Sequence, residues 1–245
     1  MKYLDLTLPS PAGNLACDEA LLELCEEGKE GEILRFWESQ ELFVVVGYAN
    51  KAAKEVDLAA CKTASIPVLR RLSGGGTVLQ GPGCLNYSLM LRIGESGPLA
   101  SITGTNKFIM AKQKAALETL TWKAVSIEGD TDLALGRFNA MEGLKFSGNA
   151  QRRKRKFLIF HGTILLRFDI ATIEKYLRMP SKHPGYRRDR GHEDFLTNLN
   201  TEAAAVKRAI QNEWEAMEVL RDVPVDEIEE LRVKKYSTEE WNFRF

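Results

Sequence analysis

The order of the apolar segments is the feature that most restricts the fold of this chain. Short stretches rich in β-branched and aromatic residues predict strands at Ile33–Trp37, Phe43–Val46, Ile66–Arg71, Leu85–Ile93, Val125–Ile127 and Asp132–Leu135. A further pair, Leu144–Asn149 and Phe157–Leu166, predicts a hairpin. Because strands and helices do not alternate regularly, the pattern indicates an α+β domain with a central mixed, largely antiparallel sheet flanked by helices.

Helical spacing of apolar residues appears at both ends of this strand-rich region. The first predicted helix covers Asn14–Cys25, with Asn14 as its N-cap. The others are predicted at Asn106–Trp122, Ile170–Leu177, Glu202–Leu220 and Val225–Val233. We expect one domain over residues 1–245, in which residues 200–245 form a C-terminal helical segment.

Composition excludes several classes of protein. No run of eighteen apolar residues and no signal peptide is present, so we expect a cytoplasmic protein with no membrane partner. The 34 basic and 34 acidic residues give a net charge of zero, which argues against a nucleic-acid partner. The four cysteines, Cys17, Cys25, Cys61 and Cys84, lack metal-site spacing, and we interpret them as free thiols.

A run of three glycines is the first candidate for chemistry. It lies in the segment RRLSGGGTV, from Arg70 to Val78. Backbone N–H groups in such a run can turn toward an anion because no Cβ blocks close approach, and the two preceding arginines could grip phosphate or carboxylate oxygens. The alternative is a flexible hairpin turn. Neither the P-loop pattern nor the dinucleotide fingerprint is present, which disfavours those nucleotide folds.

A second candidate is Lys145, which precedes the small residues of Ser147-Gly148-Asn149 in the segment GLKFSGNAQ. A lysine beside such a turn could stabilise developing negative charge. The alternative is an ordinary solvated lysine on a strand, and the functional interpretation depends on the neighbouring motifs. One of these is His161-Gly162-Thr163, which follows the basic run.

Together these motifs resemble the lipoate-protein ligase family. Four elements occur in the family's order: Arg70–Val78, Asn86–Ser88, Lys145–Ala150 and His161–Thr163. The opening helix and the terminal KYSTEEWNF are also similar, so the resemblance covers almost the whole chain. It implies a catalytic domain related in fold to biotin ligases and to class II tRNA synthetases.

The resemblance also implies an activity. ATP would activate lipoate, or octanoate, as an acyl adenylate with Mg²⁺, and the acyl group would pass to a lysine of an acidic lipoyl carrier domain of a 2-oxoacid dehydrogenase, glycine-cleavage or similar carrier protein. Lys145 would act on the activated carboxyl, and Asp132 would lie near the adenylate. The remaining implied substrate residues are Arg70, Arg71, Ser73, Gly74, Gly75, Gly76, Thr77, Val78, Asn86, Ser147, Gly148, Asn149, Ala150, His161, Gly162 and Thr163.

Two departures from the family pattern leave alternatives open. Gln80-Gly81-Pro82-Gly83 stands where family ligases often have His-Asp, and it is closer to the octanoyl transferases. No small accessory domain follows Phe245, so a separate protein could supply one. A transferase, however, needs a cysteine nucleophile, and no cysteine follows Cys84. A non-catalytic lipoate- or carrier-binding module is a third reading, which Lys145 and the complete glycine loop disfavour.

Two polar segments remain. The basic run of Arg152, Arg153, Lys154, Arg155 and Lys156 is either a solvated turn or the docking site for the acidic carrier. Residues 184–199 are predicted to form a surface loop that closes over substrate or carrier. His183 and His192 lie in or beside that loop without a third convergent ligand, so we expect no metal site there.

Overall fold

A mixed sheet of eight strands forms the centre of the structure, a computed structural model that describes residues 1–136, 143–179, 184–188 and 190–245. In order across the sheet the strands are β11 (Glu218–Val219), β1 (Lys2–Asp5), β2 (Ile33–Trp37), β6 (Cys84–Arg92), β10 (Phe157–Leu165), β9 (Leu144–Arg153), β8 (Asp132–Leu135) and β7 (Val125–Glu128). Strand β1 is parallel to both of its neighbours, and the other five pairings are antiparallel. The expected α+β fold is therefore confirmed.

A second sheet of three strands carries the glycine run. It consists of β4 (Val68–Arg70), β3 (Phe43–Val46) and β5 (Val78–Gln80), with β3 in the middle. The run lies in the connection between β4 and β5. Because β3 is parallel to β4 and antiparallel to β5, the chain reverses direction within this short connection.

Helices cover both faces of the large sheet. Within the described residues they are α1 (Pro11–Glu26), α2 (Ala52–Glu55), α3 (Leu58–Thr63), α4 (Ile102–Glu118), α5 (Ile173–Tyr176), α6 (His192–Phe195), α7 (Ala203–Glu213), α8 (Val225–Leu231) and α9 (Glu239–Asn242). Helices α4 and α7 share one apolar core with the sheet, and α1 and α8 share another on the opposite face. In this part of the chain, no helix is both long and apolar enough to cross a bilayer.

Strand β6 carries apolar side chains on both of its faces. Leu85, Leu89 and Leu91 pack into the core that contains α4 and α7, whereas Met90 packs into the core that contains α1. A strand whose two faces are both covered has no solvent side on which polar residues would be favoured.

Three sequence-based expectations about the elements are wrong in detail. Ser10, not Asn14, caps α1, with its hydroxyl accepting from the Gly13 amide at 3.1 Å. The helix predicted at Glu202–Leu220 ends at Glu213, and the backbone turns at Glu215, where φ is +50°. Strands β1, β5 and β11, of four, three and two residues, were not predicted from the sequence.

A buried ion pair joins α1 to the large sheet. Arg35 on β2 and Asp18 on α1 are 0% and 1% exposed, and Nη1 of Arg35 lies 2.5 Å from Oδ1 of Asp18. Arg35 also donates to the side-chain oxygen of Asn14, which explains why that asparagine lies inside the helix. Burial favours a neutral Asp18, but Arg35 and the hydrogen bonds from His161 and Ser88 outweigh it and hold the pKa of Asp18 below its ordinary value.

Replacing Asp18 by Ala should therefore lower the free energy of unfolding by about 3–5 kcal/mol at neutral pH, because it leaves a buried arginine unpaired. Urea denaturation gives this value. Asp5→Ala, which removes the exposed partner of Lys207, is the control and should cost about 1 kcal/mol or less. Since the folded-state pKa of Asp18 is lowered, its contribution is present above the unfolded-state pKa of about 3.9 and is lost as the pH falls below it. A difference between wild type and Asp18→Ala that stays constant from pH 6 to pH 3 would contradict this assignment.

Candidate active site

A cavity of about 370 Å³ lies between the two sheets, and strands β5, β6, β8, β9 and β10 contribute to its wall. Most of the residues singled out from the sequence line it: Arg71, Gly75, Gly76, Thr77, Val78, Asn86, Asp132, Lys145, Ser147, Gly148, Asn149, Ala150, His161, Gly162 and Thr163. The rest of the lining includes apolar side chains, among them Leu15, Trp37 and Phe146, and further polar ones such as Asp18, Glu55 and Asp130. The cavity thus combines an apolar interior with one group of polar residues, as small-molecule sites commonly do.

The glycine loop is held in shape from behind by Arg71. Its guanidinium donates to the carbonyl oxygens of Gly74 and Gly76, with Nη2 at 2.6 and 2.8 Å. Gly75 has a φ of +90°, and a Cβ built on it would lie 2.8 Å from Nη2 of Arg71. None of the three glycine amides donates to another residue in the described part of the chain. A loop with its carbonyls bound and its N–H groups available is suited to an anion.

Arg71 itself stays charged although it is buried. Burial lowers the pKa of Arg71 to about 10, and the carboxylate of Glu55 acts in the opposite direction. Glu55 accepts hydrogen bonds from Thr77 at 2.5 Å and from Asn50 at 2.9 Å, so it fixes the far side of the same loop. The sequence gives no signal for Glu55, because its place depends on the packing of α2 against the loop.

A second chain of polar contacts reaches the loop from the buried ion pair. His161 has Nε2 2.5 Å from the hydroxyl of Ser73 and Nδ1 3.6 Å from the carboxylate of Asp18, and Ser73 accepts from Nε of Arg71 at 3.1 Å. Ser73, His161 and Asp18 are the residue types of a serine hydrolase triad. Ser73, however, is 0% exposed and does not line the cavity, so this hydroxyl positions Arg71 and is not available to attack a substrate.

Lys145 occupies a well-defined place on β9. Its Nζ lies 2.8 Å from Oδ1 of Asp132, and the Lys145 side chain is 23% exposed. A Cβ built on Gly148 would lie 2.8 Å from Nζ, so this glycine provides the space for the ammonium group. The Lys145 carbonyl accepts from the amide of Thr197 at 2.9 Å, which fixes the strand on its other side.

Polar side chains across β6, β9 and β10 extend the site. Tyr87 donates to the Asn149 side-chain oxygen at 2.6 Å, and Asn149 donates to the Thr131 carbonyl at 2.7 Å. Thr163 donates to Asn86 at 2.6 Å and accepts from Gln80 at 2.8 Å. Gln80, where the sequence departs from the ligase pattern, is therefore part of the cavity wall through its bond to Thr163.

Three of the candidate residues do not line the cavity, and Arg70 is the clearest example. Its guanidinium donates to the carbonyl oxygens of Gly47, Tyr48 and Asn50, and to those of Trp241 and Asn242 near the C-terminus. Arg70 thus joins the C-terminal segment to the small sheet. Ser73 and Gly74 also lie outside the cavity lining.

Most of the basic run at the hairpin of β9 and β10 is bound within the structure. Lys154 pairs with Glu23, Arg153 donates to the Leu99 carbonyl at 2.8 Å, and Lys156 donates to the Glu26 carbonyl at 3.2 Å. Arg152 and Arg155 are exposed and have no carboxylate partner among the described residues. Hydrogen bonds to carbonyl oxygens fix Arg153 and Lys156 without neutralising them, so within the described residues only Lys154 of this run is paired with a carboxylate.

None of the four cysteines reaches the cavity. All are at most 1% exposed and none lines it. Burial raises the pKa of Cys17 to about 11 and those of Cys25 and Cys84 to about 12, and it also raises the pKa of Cys61. Buried thiols that remain protonated are poor nucleophiles.

Residues from the segment predicted to be a surface loop also contribute to the site. Pro184, Arg187, His192 and Phe195 line the cavity, and Tyr186 donates to Asp132 at 2.6 Å. Arg187 is 5% exposed, so this part of the segment is packed against the protein. His183 lies outside the described residues. No group of three metal-ligating side chains converges among those that the structure describes.

Comparison with known proteins identifies the family. Residues 10–222 match the family model for the lipoyl protein ligase A/B catalytic domain. The chain belongs to this family. Among curated relatives, octanoyltransferase LipM of Anoxybacillus flavithermus is 30% identical over 278 residues, covering 99% of this chain and 98% of the relative. Octanoyltransferase LipM of Geobacillus kaustophilus is 29% identical, with the same coverage.

Solved structures of lipoate ligases share the fold. A bipartite lipoate protein ligase from Thermoplasma acidophilum, solved in a study with its E2 lipoyl domain, has a TM-score of 0.80 and 24% identity, covering 99% of this chain and 95% of that one. Lipoate-protein ligase A bound with ATP has a TM-score of 0.79 and 25% identity, covering 99% of each chain. The family's catalytic-domain fold is thus shared with structures named as ligases, whereas the curated relatives are named as transferases.

If the glycine loop binds an acyl adenylate, replacing Gly75 by Val should abolish that binding, because the side chain is strained at positive φ and would displace Arg71 from behind the loop. Calorimetry with lipoyl-adenylate measures the loss. Gly74→Ala is the control, since no atom lies within 4 Å of its added Cβ, and it should bind normally. Normal binding by a Gly75→Val protein whose thermal melt is unchanged would show that the loop is only a turn.

Proposed function

We propose that this protein is an ATP-dependent ligase that converts lipoate or octanoate to an acyl adenylate and then transfers the acyl group to a lysine of a lipoyl carrier domain. One observation carries the proposal: Lys145 and the glycine loop face the same cavity, whereas none of the four cysteines reaches it. Cations and free amides are what an anionic reaction needs, and a thioester intermediate needs an accessible thiol.

The first half-reaction joins two anions. An oxygen of the acyl carboxylate attacks the α-phosphorus of ATP, the bond to the bridging oxygen breaks, and pyrophosphate leaves with that electron pair. Lys145 would stand between the carboxylate and the α-phosphate, and the amides of Gly75 and Gly76 would hold non-bridging oxygens. Fixed donors of this kind lower the barrier because they need no reorganisation as charge shifts.

Magnesium fits this scheme as part of the nucleotide substrate. The two carboxylate oxygens of Asp132 are already bound, one to Lys145 and the other to Tyr186. Mg²⁺ commonly retains water and substrate phosphates as ligands, so it would enter on the triphosphate of ATP and neutralise part of the charge of the leaving pyrophosphate.

In the second half-reaction, the neutral amine of the carrier lysine attacks the acyl carbonyl of the mixed anhydride. An amide bond forms, the bond between the acyl carbon and the phosphate oxygen breaks, and AMP leaves, while the amine loses its proton to solvent. The carrier is the expected partner because a lipoyl domain belongs to the system of the Thermoplasma ligase that shares this fold. That ligase is described as bipartite, so activity should be measured both with and without a candidate accessory protein.

Octanoyl transfer without ATP is the second candidate, because the curated relatives at 29–30% identity carry that name. A transferase that works through an enzyme thioester would need one of four thiols that are buried and protonated at neutral pH. If this protein is a transferase that forms no enzyme thioester, the lysine of the carrier would have to attack the thioester of the octanoyl donor directly.

One experiment distinguishes the two candidates. A lipoyl carrier domain is incubated with the protein and either lipoate, ATP and Mg²⁺, or an octanoyl-acyl carrier protein without ATP, and mass spectrometry follows the carrier. The ligase should modify the carrier only in the first mixture and should exchange pyrophosphate into ATP only when lipoate is present. Modification only in the second mixture would establish the transferase. Modification in neither mixture, with or without the accessory protein, would favour the non-catalytic binding module.

Lys145→Ala should reduce acyl-adenylate formation about a hundredfold or more, since one fixed donor to a developing charge contributes about 3–4 kcal/mol. The dissociation constant of ATP should change much less. Pyrophosphate exchange measures adenylate formation, and calorimetry measures the dissociation constant. Lys114→Ala, which removes an exposed partner of Glu118, is the control and should keep full activity. Adenylation within threefold of wild type would place Lys145 outside the reaction.

Arg152 is the residue of the basic run that we propose for carrier docking. Arg152 is exposed and lies on β9, two residues after Ala150, which lines the cavity. Its guanidinium stacks on the ring of Tyr48. Two residues after Tyr48, the side chain of Asn50 donates to the carbonyl of Gly75 in the glycine loop. If Arg152 attracts an acidic carrier, Arg152→Glu should raise the carrier KM about five- to tenfold and flatten its dependence on salt. Adenylate formation without carrier should stay normal.

Arg208→Glu on α7 makes the same charge change at an exposed site far from the hairpin in sequence and should leave the carrier KM unchanged. Equal effects of the two variants would mean that only overall charge matters. Loss of adenylation in Arg152→Glu would instead place Arg152 in the active site.

A further inference from the structure

The side chain of Lys145 is oriented by the carboxylate of Asp132. Within the described residues each oxygen of that carboxylate has one side-chain donor: Nζ of Lys145 lies 2.8 Å from Oδ1, and the hydroxyl of Tyr186 lies 2.6 Å from Oδ2. Asp132 is 14% exposed, so water competes little for either oxygen. A carboxylate bound on only one oxygen can rotate about its terminal bond, whereas two donors in different directions fix its plane.

Tyr186 is itself held in place. Its ring lies 5.3 Å from that of Phe195, centroid to centroid, and the ring of Phe195 in turn lies 6.0 Å from Nζ of Lys145. Arg187 and Arg190 also stack on Phe195, at 4.9 and 5.2 Å. The phenol and the ammonium therefore share two neighbours, the carboxylate of Asp132 and the ring of Phe195.

The hydroxyl of Tyr186 is suited to donate. Burial, together with the negative charge of Asp132, raises the pKa of Tyr186 well above its ordinary value, so the phenol keeps its proton. A donor on Oδ2 draws negative charge away from Oδ1, which weakens the attraction between Asp132 and Lys145. The ammonium can then turn toward an arriving carboxylate and phosphate without having to leave a fully charged partner.

We propose that Tyr186 is a positioning residue for Lys145, acting through Asp132. Its hydroxyl fixes the plane of the carboxylate that holds the lysine ammonium and moderates the strength of that contact. This inference rests on the proposed function for the role of Lys145, but the contact between the three side chains can be tested without any reaction.

The kinetic test is Tyr186→Phe, which removes one oxygen atom and keeps the ring on Phe195. It should lower kcat for acyl-adenylate formation about five- to thirtyfold and change the KM values of ATP and lipoate less than twofold. In an Asp132→Asn background the same change should have no further effect, because Tyr186 acts only through that carboxylate. Tyr176→Phe is the control, since no described residue hydrogen-bonds its hydroxyl, and it should leave all constants unchanged. Additive effects of the two variants, or a rise in KM alone, would overturn the proposal.

The second test uses NMR to measure the contact between Tyr186, Asp132 and Lys145 without any reaction. In protein labelled with ¹⁵N-lysine, the Lys145 ammonium resonance, assigned by its loss in Lys145→Ala, should shift in Tyr186→Phe and stay in place in Tyr176→Phe. An unshifted resonance in Tyr186→Phe would overturn the proposal whatever the kinetics. If the wild-type protein forms no adenylate but the resonance shifts as expected, the proposed function fails and the positioning of Lys145 by Tyr186 stands.

Discussion

The ion pair between Arg35 and Asp18 holds helix α1 against the central sheet, and the polar groups of the cavity are connected to it. Asp18 also accepts from Ser88 and lies next to His161, which contacts Ser73, which in turn accepts from Arg71. Each of these groups is largely buried, and a buried polar group is costly unless it has a partner. The requirement for partners thus extends from the core to the glycine loop in one connected network.

This network gives the loop its geometry. Arg71 binds the carbonyl oxygens of Gly74 and Gly76, so it acts from behind the loop and leaves the glycine amides available to a ligand. A charged residue that appeared suited to grip phosphate directly is instead used to organise backbone donors that would do so. Donors fixed before the substrate arrives are the main source of electrostatic stabilisation in enzymes, because they do not have to reorient during the reaction.

Membership of the family does not by itself decide the reaction, since relatives are named both as ligases and as octanoyltransferases. A shared fold does not fix the reaction, because the chemistry depends on the side chains in the site. In this chain the cavity presents Lys145 and the glycine loop, and the thiols are elsewhere. That distribution of groups is the physical basis for preferring acyl adenylation over thioester exchange.

The sequence by itself determined the α+β class, most of the strands of the large sheet, and the grouping of the glycine loop, Lys145 and His161 into one family signature. These features depend on local propensity and on motif order, which the linear chain contains. Only the tertiary structure decided what each polar side chain binds: Arg70 binds backbone carbonyls, Lys154 of the basic run pairs with Glu23, and Tyr186 reaches Asp132. It also brought Glu55 to Thr77, which lies 22 positions further along the sequence. The partner of a buried charge is chosen by packing between distant segments, so no local pattern in the sequence can reveal it.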